Sequence, residues 1–307
     1  MNTLLDNIVW HTLCGPHAAY TEGTDRARRY VPGFSPFIAF ADLEHPDFDA
    51  LAPYAAPGEQ LYCDGWAGLA AAGWRVASET ILVKMTWEGG MPAANQAPEA
   101  VLLGPLHADA ALGLAKLTVP GPFAARSIEL GEYFGVFDGA RLIAMAGGRL
   151  CAGGYREISG VCTHPDFQGR GLARRLVLKL LRRQMRRGEK PFLRVMRENQ
   201  AVHGLYQRMG FCDYRDSVAR VVARYFQVAT DDQAETDRLW DAIISNGGQE
   251  SACGWCKDKW GLSWQITPRT LTAAIADPDR AVAKRAFDAM MQMRKIDIAA
   301  IDAARGG

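Results

Sequence analysis

Charge of one sign is what this sequence lacks. Its 35 Lys and Arg stand against 34 Asp and Glu, a formal net charge of +1, so no long-range field gathers nucleic acid or an anionic membrane. Neither is expected as its partner, although local patches stay open. Long hydrophobic runs are also missing. No stretch approaches the roughly 18 uninterrupted apolar residues that a membrane span needs. The first residues, MNTLLDNIVWHTL, show neither the basic segment nor the small-residue cleavage site of a leader. Cysteine is sparse and odd in number, seven in 307 residues, which makes no disulfide framework and fits a reducing compartment, so a cytoplasmic protein is expected. Internal repeats and low-complexity tracts are absent. What remains is an apolar fraction of 49%, ample for buried cores, in a chain long enough for two or three domains.

Residues 1 to about 96 mix helical stretches with proline and glycine breaks and offer one good strand, Thr80 to Met85. WEGGMPAANQAP, residues 87–98, is the best linker candidate. A regular rhythm follows. Strands are predicted at Ala100–Leu103, Tyr133–Phe137, Arg141–Ala146, Tyr155–Cys162 and Pro191–Met196, with helices at Ala108–Leu117, Ser127–Glu132, Gly171–Arg187 and Gln200–Met209. Asp138-Gly139 marks a hairpin turn. Strands alternating with helices predict an α/β (α+β) fold, a mixed sheet flanked by helices with at least one crossover. Beyond Arg224 the composition shifts: strand Tyr225–Val228, helix Gln233–Ile244, a hairpin around Lys259-Trp260-Gly261, then helix after Pro268. Three segments are therefore expected: 1–96, 97–224 and 225–307.

The stretch HPDFQGRGLARRL, His164 to Leu176, joins a strand to a helix through glycines. Glycines without Cβ atoms let successive backbone N–H groups face one acceptor, and the helix N-terminus adds partial positive charge, a combination suited to a pyrophosphate. The third spaced glycine of a dinucleotide fingerprint is missing, as is the Lys-Ser/Thr ending of a P-loop. A tight turn without a ligand is the other reading of these residues.

Gln168-x-x-Gly171-x-Ala173 after the strand Tyr155 to Cys162 resembles the acetyl-coenzyme A loop of the GNAT superfamily of N-acetyltransferases. Asn199, Leu205-Tyr206 and Met209-Gly210-Phe211 resemble the rest of that family's cofactor half, with Val202 at its usual alanine. The likeness covers about residues 98–224. Trp10 to His17 and Thr118 to Phe123 resemble a bacterial GNAT subgroup with an extra N-terminal lobe, which would scaffold and wall the acceptor site.

Acyl transfer from a thioester to an amine needs a deprotonated amine, stabilisation of the oxyanion and a proton for the thiolate. The resemblance implies acetyl-CoA as cosubstrate and a candidate for each task. Backbone N–H groups around Val161, Cys162 and Thr163 would grip pantetheine and polarise the carbonyl. The loop Gln168, Gly169, Arg170, Gly171, Leu172 and Ala173 would hold the pyrophosphate, Asn199 would bond the cofactor arm, and Tyr206 would protonate the thiolate. By period-two alternation Tyr155, Glu157, Ser159 and Val161 share one face of their strand, which makes Glu157, with Ser159 beside it, the candidate general base, directly or through water. Packing for Tyr206 and an ordinary ion pair for Glu157 are the alternatives. The basic run Arg182 to Arg187 reads as a solvated helix face, with Arg174 or Arg175 near a phosphate, and His164 and His203 read as surface groups outside any metal-ligand spacing.

Tyr225 to Pro268, with Asp237 to Asp241, Cys253 to Asp258 and Gly261 to Ile266, resembles half of a PhnB-like protein of the glyoxalase/VOC superfamily, whose domains pair two βαβββ modules. Asp258-x-x-Gly261 and then Gln265 stand where metal-using relatives place a carboxylate, and neutral Gln265 implies no tight metal. Cys253-x-x-Cys256 runs into a hairpin rather than opening a helix, so neither a redox nor a zinc role is expected. A half-module leaves sheet uncovered, which suggests a homodimer through the tail. The leading expectation is an N-acetyltransferase acting on a small-molecule or amino-acid-like amine. The alternatives are a small-ligand-binding protein whose GNAT half only senses acyl-CoA, and a VOC-type lyase or dioxygenase.

Overall fold

The computed structural model describes residues 4–94 and 96–306; Asn95, inside the expected linker, lies outside the described residues. The chain forms two compact units. The first takes in the chain up to Tyr54, Gln60–Leu69 and Val76–Val222. In order it contains α1 (Ile8–Cys14), β1 (Thr21–Gly23), β2 (Ala27–Tyr30), β3 (Phe37–Phe40), α2 (Phe48–Leu51), β4 (Gln60–Asp64), β5 (Trp74–Trp87), β6 (Val101–Leu102), α3 (Ala108–Thr118), β7 (Tyr133–Asp138), β8 (Arg141–Ala152), β9 (Tyr155–Thr163), α4 (Leu172–Arg186), β10 (Lys190–Met196), α5 (Gln200–Met209) and β11 (Phe211–Arg224).

All eleven strands join one sheet in the order β1-β2-β3-β4-β11-β5-β10-β9-β8-β7-β6. The expected break at residue 96 has no counterpart here, because β1 to β5 continue the same sheet as β6 to β11. The sequence reading also missed β1 to β4 and β11. Phe37–Phe40 is buried at all four positions, so its burial does not alternate, and strands of three to five residues carry little periodic signal. Antiparallel β7-β8-β9 follow the predicted hairpin, whereas β9 and β10 are parallel and therefore need a crossover, which α4 supplies.

Apolar residues at helical spacing explain the layers. Leu172, Leu176, Val177, Leu180 and Leu181 of α4 meet Ile158, Leu193, Val195 and, from α5, Tyr206 on one side of the sheet. On the other side Leu5 and, from α1, Ile8 and Leu13 pack against Leu150 and Phe192, and α3 packs Ala111 and Leu114 against Tyr133, Met145 and Cys162. A buried stripe of this kind supplies most of a helix's stability. Among the described residues no helix is long and apolar enough to cross a membrane.

The second unit comprises Ala55–Glu59, Ala70–Arg75 and the chain from Ala223. The two early segments are tied in by hydrogen bonds from Gly58 N to Arg224 O at 2.8 Å and from Tyr225 N to Gly73 O at 2.9 Å, which the expected boundaries did not anticipate. Its elements are β12 (Phe226–Thr230), α6 (Gln233–Ile244), β13 (Gln249–Glu250), β14 (Trp255–Lys257), β15 (Ser263–Pro268), α7 (Arg269–Ile275), α8 (Arg280–Met290) and α9 (Ile298–Gly306). The sheet order β12-β15-β14-β13 with α6 after β12 is a βαβββ module. Trp240 of α6 packs on Val228, Cys256 and Ile266. The opposite face carries a cavity of about 440 Å³ lined by Gln227, Gln265, Thr267, Leu271 and Met290 among others. Asp258 does not reach toward a ligand: its carboxylate accepts N–H bonds from Trp260, Leu262 and the Trp264 indole at 2.9–3.1 Å and closes the hairpin turn.

Candidate active site

The site begins where two parallel strands part. β9 and β10 pair only at Tyr155–Lys190, Arg156–Pro191 and Glu157–Phe192. Beyond that, β9 stays on β8 as far as Thr163–Ala144 and β10 stays on β5 as far as Met196–Leu82. From Ile158 to Thr163 the β10-facing edge of β9 therefore has no ladder partner among the described residues. Backbone N–H and C=O groups that are unpaired need another partner, and an extended ligand chain can supply one.

A bulge sits in the same stretch. The β8–β9 register shifts between Met145–Cys162 and Gly147–Ser159, and Gly160 has φ +59, the left-handed backbone that glycine adopts without strain. The extra residue reverses the alternation. Tyr155 packs with α1 and Glu157 lies on that same side, but Val161 packs with α4 and Cys162 with α3. The expectation that Tyr155, Glu157, Ser159 and Val161 share one face is corrected: Val161 has crossed to the α4 side, because a one-residue insertion shifts a period-two pattern by one.

The gap opens toward the N-terminus of α4. His164 is buried rather than on the surface; its Nδ1 accepts from Asp166 N at 3.2 Å, and its other nitrogen meets Arg141. This fixes the turn Pro165–Phe167. Gln168 Nε2 donates back to Thr163 O at 3.4 Å. Gly169 and Gly171 have φ of +75 and +71, and a Cβ on either would point into open space. Gly171 caps α4 with no side-chain bond, and no acidic residue occupies the first turn. Gln168, Gly169, Arg170 and Gly171 are all exposed, with Leu172 buried and Ala173 half-buried. Unsatisfied N–H groups and the helix dipole together favour an anion there. Arg174 is exposed, whereas Arg175 is paired with Glu99 at 2.6 Å.

Tyr206 lies in the α4–α5 core, in the cluster that also takes in Leu172 and against which Val161 packs, its ring edge-on to Phe211 at 5.7 Å. Its hydroxyl makes no hydrogen bond among the described residues, and burial pushes its pKa up to about 12. A phenol so placed keeps its proton at neutral pH. Asn199 caps α5 by accepting from Val202 N at 3.2 Å, leaving its amide N–H₂ exposed. Thr163 Oγ1 is buried without a partner, an orphaned group at the end of the open edge. Ser159 is half-buried, and burial raises the Cys162 thiol to about 11, so it is no ready nucleophile.

Glu157 is in different surroundings from those a base requires. It is 1% exposed and held by Arg149 at 3.2 Å, by Arg194 at 2.9 Å and by Leu150 N at 3.3 Å. Burial alone would raise its pKa, but Arg149 and Arg194 overcome that and hold it down at about 2. Arg194 continues to Asp64 at 3.1 Å, and Asp64 to Lys84 at 3.3 Å and Ser217 at 2.6 Å. Phe37 is flanked by the Arg149 and Arg194 guanidiniums at 4.7 and 5.1 Å. A carboxylate so anchored is a poor proton acceptor near neutrality. These surroundings argue for the ion-paired alternative. Sequence could not reveal Arg149, Arg194, Asp64 and Lys84 as one buried chain, since a charged residue looks alike in solvent and in a core. The isolated Gly160 inside a strand was the one legible sign of the bulge. Arg182, Arg183 and Arg187 are likewise not a free solvated face: Arg182 donates to Pro92 O at 2.7 Å, and the other two clamp Glu132.

Comparison with known proteins agrees with this geometry. A protein from Novosphingobium aromaticivorans assigned to the GNAT acetyltransferases is 31% identical, with a TM-score of 0.66, over 73% of this chain and 99% of that one. The chain belongs to the GNAT family of acetyltransferases. A GCN5-related N-acetyltransferase from Kribbella flavida, 14% identical over 72% of this GNAT chain and 95% of its own, shares the fold with a TM-score of 0.50. The family model described as FR47-like protein matches residues 133–221, β7 into β11. N-alpha-acetyltransferase RimI of Mycobacterium tuberculosis is 36% identical over 100 residues, 30% of this GNAT chain and 61% of the relative's length. A second family model, described as 3-demethylubiquinone-9 3-methyltransferase, matches residues 207–267, the stretch containing the βαβββ module with PhnB-like character.

Proposed function

We propose that this GNAT protein moves the acetyl group of acetyl-CoA to the amine of a small-molecule or amino-acid-like acceptor. GNAT enzymes generally use acetyl-CoA. The observation that carries the reading is the open β9 edge leading into the uncapped, glycine-lined N-terminus of α4. The residues present fit that cosubstrate: an unladdered strand edge for an extended arm, an orphaned Thr163 Oγ1 beside it, and an exposed N–H cradle for phosphates. The likeness to RimI, an N-alpha-acetyltransferase by name, supports an α-amine among the acceptors.

When bound, the cosubstrate supplies an activated acyl thioester. The chain's own residues do the rest. The N–H groups on the β10-facing edge of β9, around Val161 and Thr163, orient the arm and polarise the acyl oxygen, which is worth most where water is excluded. Gln168 to Ala173 hold the phosphates, and the Asn199 amide N–H₂ steadies the arm from the start of α5. Tyr206, on the α4 side, delivers its phenolic proton to the leaving sulfur. Glu157 acts by positioning, holding Arg149 and Arg194 under β9 on the opposite side. Removal of the amine's proton then falls to water near Ser159 rather than to Glu157.

Calorimetric titration with acetyl-CoA tests the reading. Micromolar binding that Gly171→Glu abolishes is expected, because a carboxylate in the cradle would repel phosphate. No binding by the intact protein would overturn it.

A further inference from the structure

The cavity at the far end of α4 is unrelated to the phosphate cradle. With a rise of about 1.5 Å per residue, the 15 residues of α4 set the two ends roughly 20 Å apart. Its volume is about 370 Å³, and its walls include Gln184, Arg156, Arg187, Glu132, Leu102 and Leu180. Gln184 is the anomaly. It occupies the sheet-facing row that runs through Leu176, Leu180 and Leu181, where an apolar residue belongs. It is 1% exposed, its Oε1 is buried without a partner, and its amide makes no hydrogen bond among the described residues. A buried amide left unpaired carries its full desolvation penalty, which a ligand in the cavity would relieve.

The surrounding charges say what kind of ligand. Arg156 uses Nε and Nη2 on Glu189, so Nη1 has no partner among the described residues. Arg183 and Arg187 hold Glu132, and Arg187 also holds Glu189. Three guanidiniums against two carboxylates leave one positive charge. Leu102, 56% exposed, and Leu180 form an apolar wall. A packed backbone confines the floor: a Cβ on Gly131 would lie 2.4 Å from Gly148 O.

We propose that this cavity is a second binding site, for a small carboxylate with an adjacent N–H donor and an aliphatic tail, the chemistry of an aliphatic α-amino acid. The carboxylate takes Arg156 Nη1 and the Gln184 N–H₂, the donor takes Gln184 Oε1 and Glu132, and the tail lies on Leu102 and Leu180. L-Leucine titrated into the full chain without acetyl-CoA should bind saturably at 1:1. Gln184→Leu and Arg156→Met should each weaken it at least tenfold, and 3-methylbutylamine, which lacks the carboxylate, should not bind. Leu102→Glu, on the exposed rim and safe for folding, should weaken leucine likewise. Absence of leucine binding overturns the proposal. So does binding that survives both Leu102→Glu and Gln184→Leu, since the amino acid would then sit elsewhere, as an acceptor would. Because no acyl donor is present, failure of the transferase reading leaves this test unchanged.

Discussion

Replacing Glu157 by Gln separates a structural carboxylate from a catalytic one. The side chain keeps its shape but loses the charge that faces Arg149 and Arg194. A carboxyl held at about 2, against an ordinary 4.5, corresponds to roughly 3 kcal/mol of stabilisation at neutral pH. Leaving two buried guanidiniums short of an acceptor costs about 3–5 kcal/mol by analogy with broken buried pairs. For a unit of this size about 1 kcal/mol moves Tm by roughly 2–4 °C, so Glu157→Gln should melt about 6–20 °C lower at pH 7. The sign of the pH effect follows from the depressed pKa. The contribution is fully present above pH 4.5 and is lost as pH falls through about 2, so the two proteins converge in that window. Calorimetric melts between pH 2 and 7, read beside kcat–pH profiles, measure both. A variant that melts within 1 °C of the parent while kcat falls more than a hundredfold would refute the reasoning and restore Glu157 as a base.

Tyr206→Phe should lower kcat by about 10²–10⁴, the range of a lost general acid, with calorimetric affinity for acetyl-CoA unchanged. Since the phenol titrates near 12, its ionisation should produce no falling limb in kcat below about pH 11. Val119 ends α3 at φ 48 and ψ 58, a left-handed conformation costing a β-branched residue about 1–2 kcal/mol. Val119→Gly should therefore raise thermal stability by about 1 kcal/mol, read as an increase in Tm. Strand β12 ends the second unit's sheet and pairs only with β15 among the described residues, an edge through which a second copy would pair. Light scattering at micromolar concentration should report a dimer mass, and a monomer would count against that pairing.

Much of the cofactor half was legible in the sequence. Gly169 and Gly171 between a strand and an amphipathic helix, Asn199 before a helix and Gly210 after it are local signals, and the structure has α4 at Leu172–Arg186 and α5 at Gln200–Met209. Local propensity, capping and apolar spacing act over a few residues, so they survive in a linear reading. In the tail β12, α6 and the β14–β15 hairpin were legible for the same reason, whereas β13, two residues long at Gln249–Glu250, was not. Tertiary structure alone decided the rest. The parting of β9 from β10 depends on which strands flank each. The Gly160 bulge moved Val161 to the opposite face and left Glu157 among arginines from β8 and β10. The union of β1 to β5 with the later strands depends on pairing between residues more than a hundred positions apart. The burial of Arg149, Arg194, Asp64, Lys84 and Gln184 depends on what the whole chain brings over them. Whether a charged group is solvated or paired is set by its neighbours in space, and a sequence orders neighbours only along the chain.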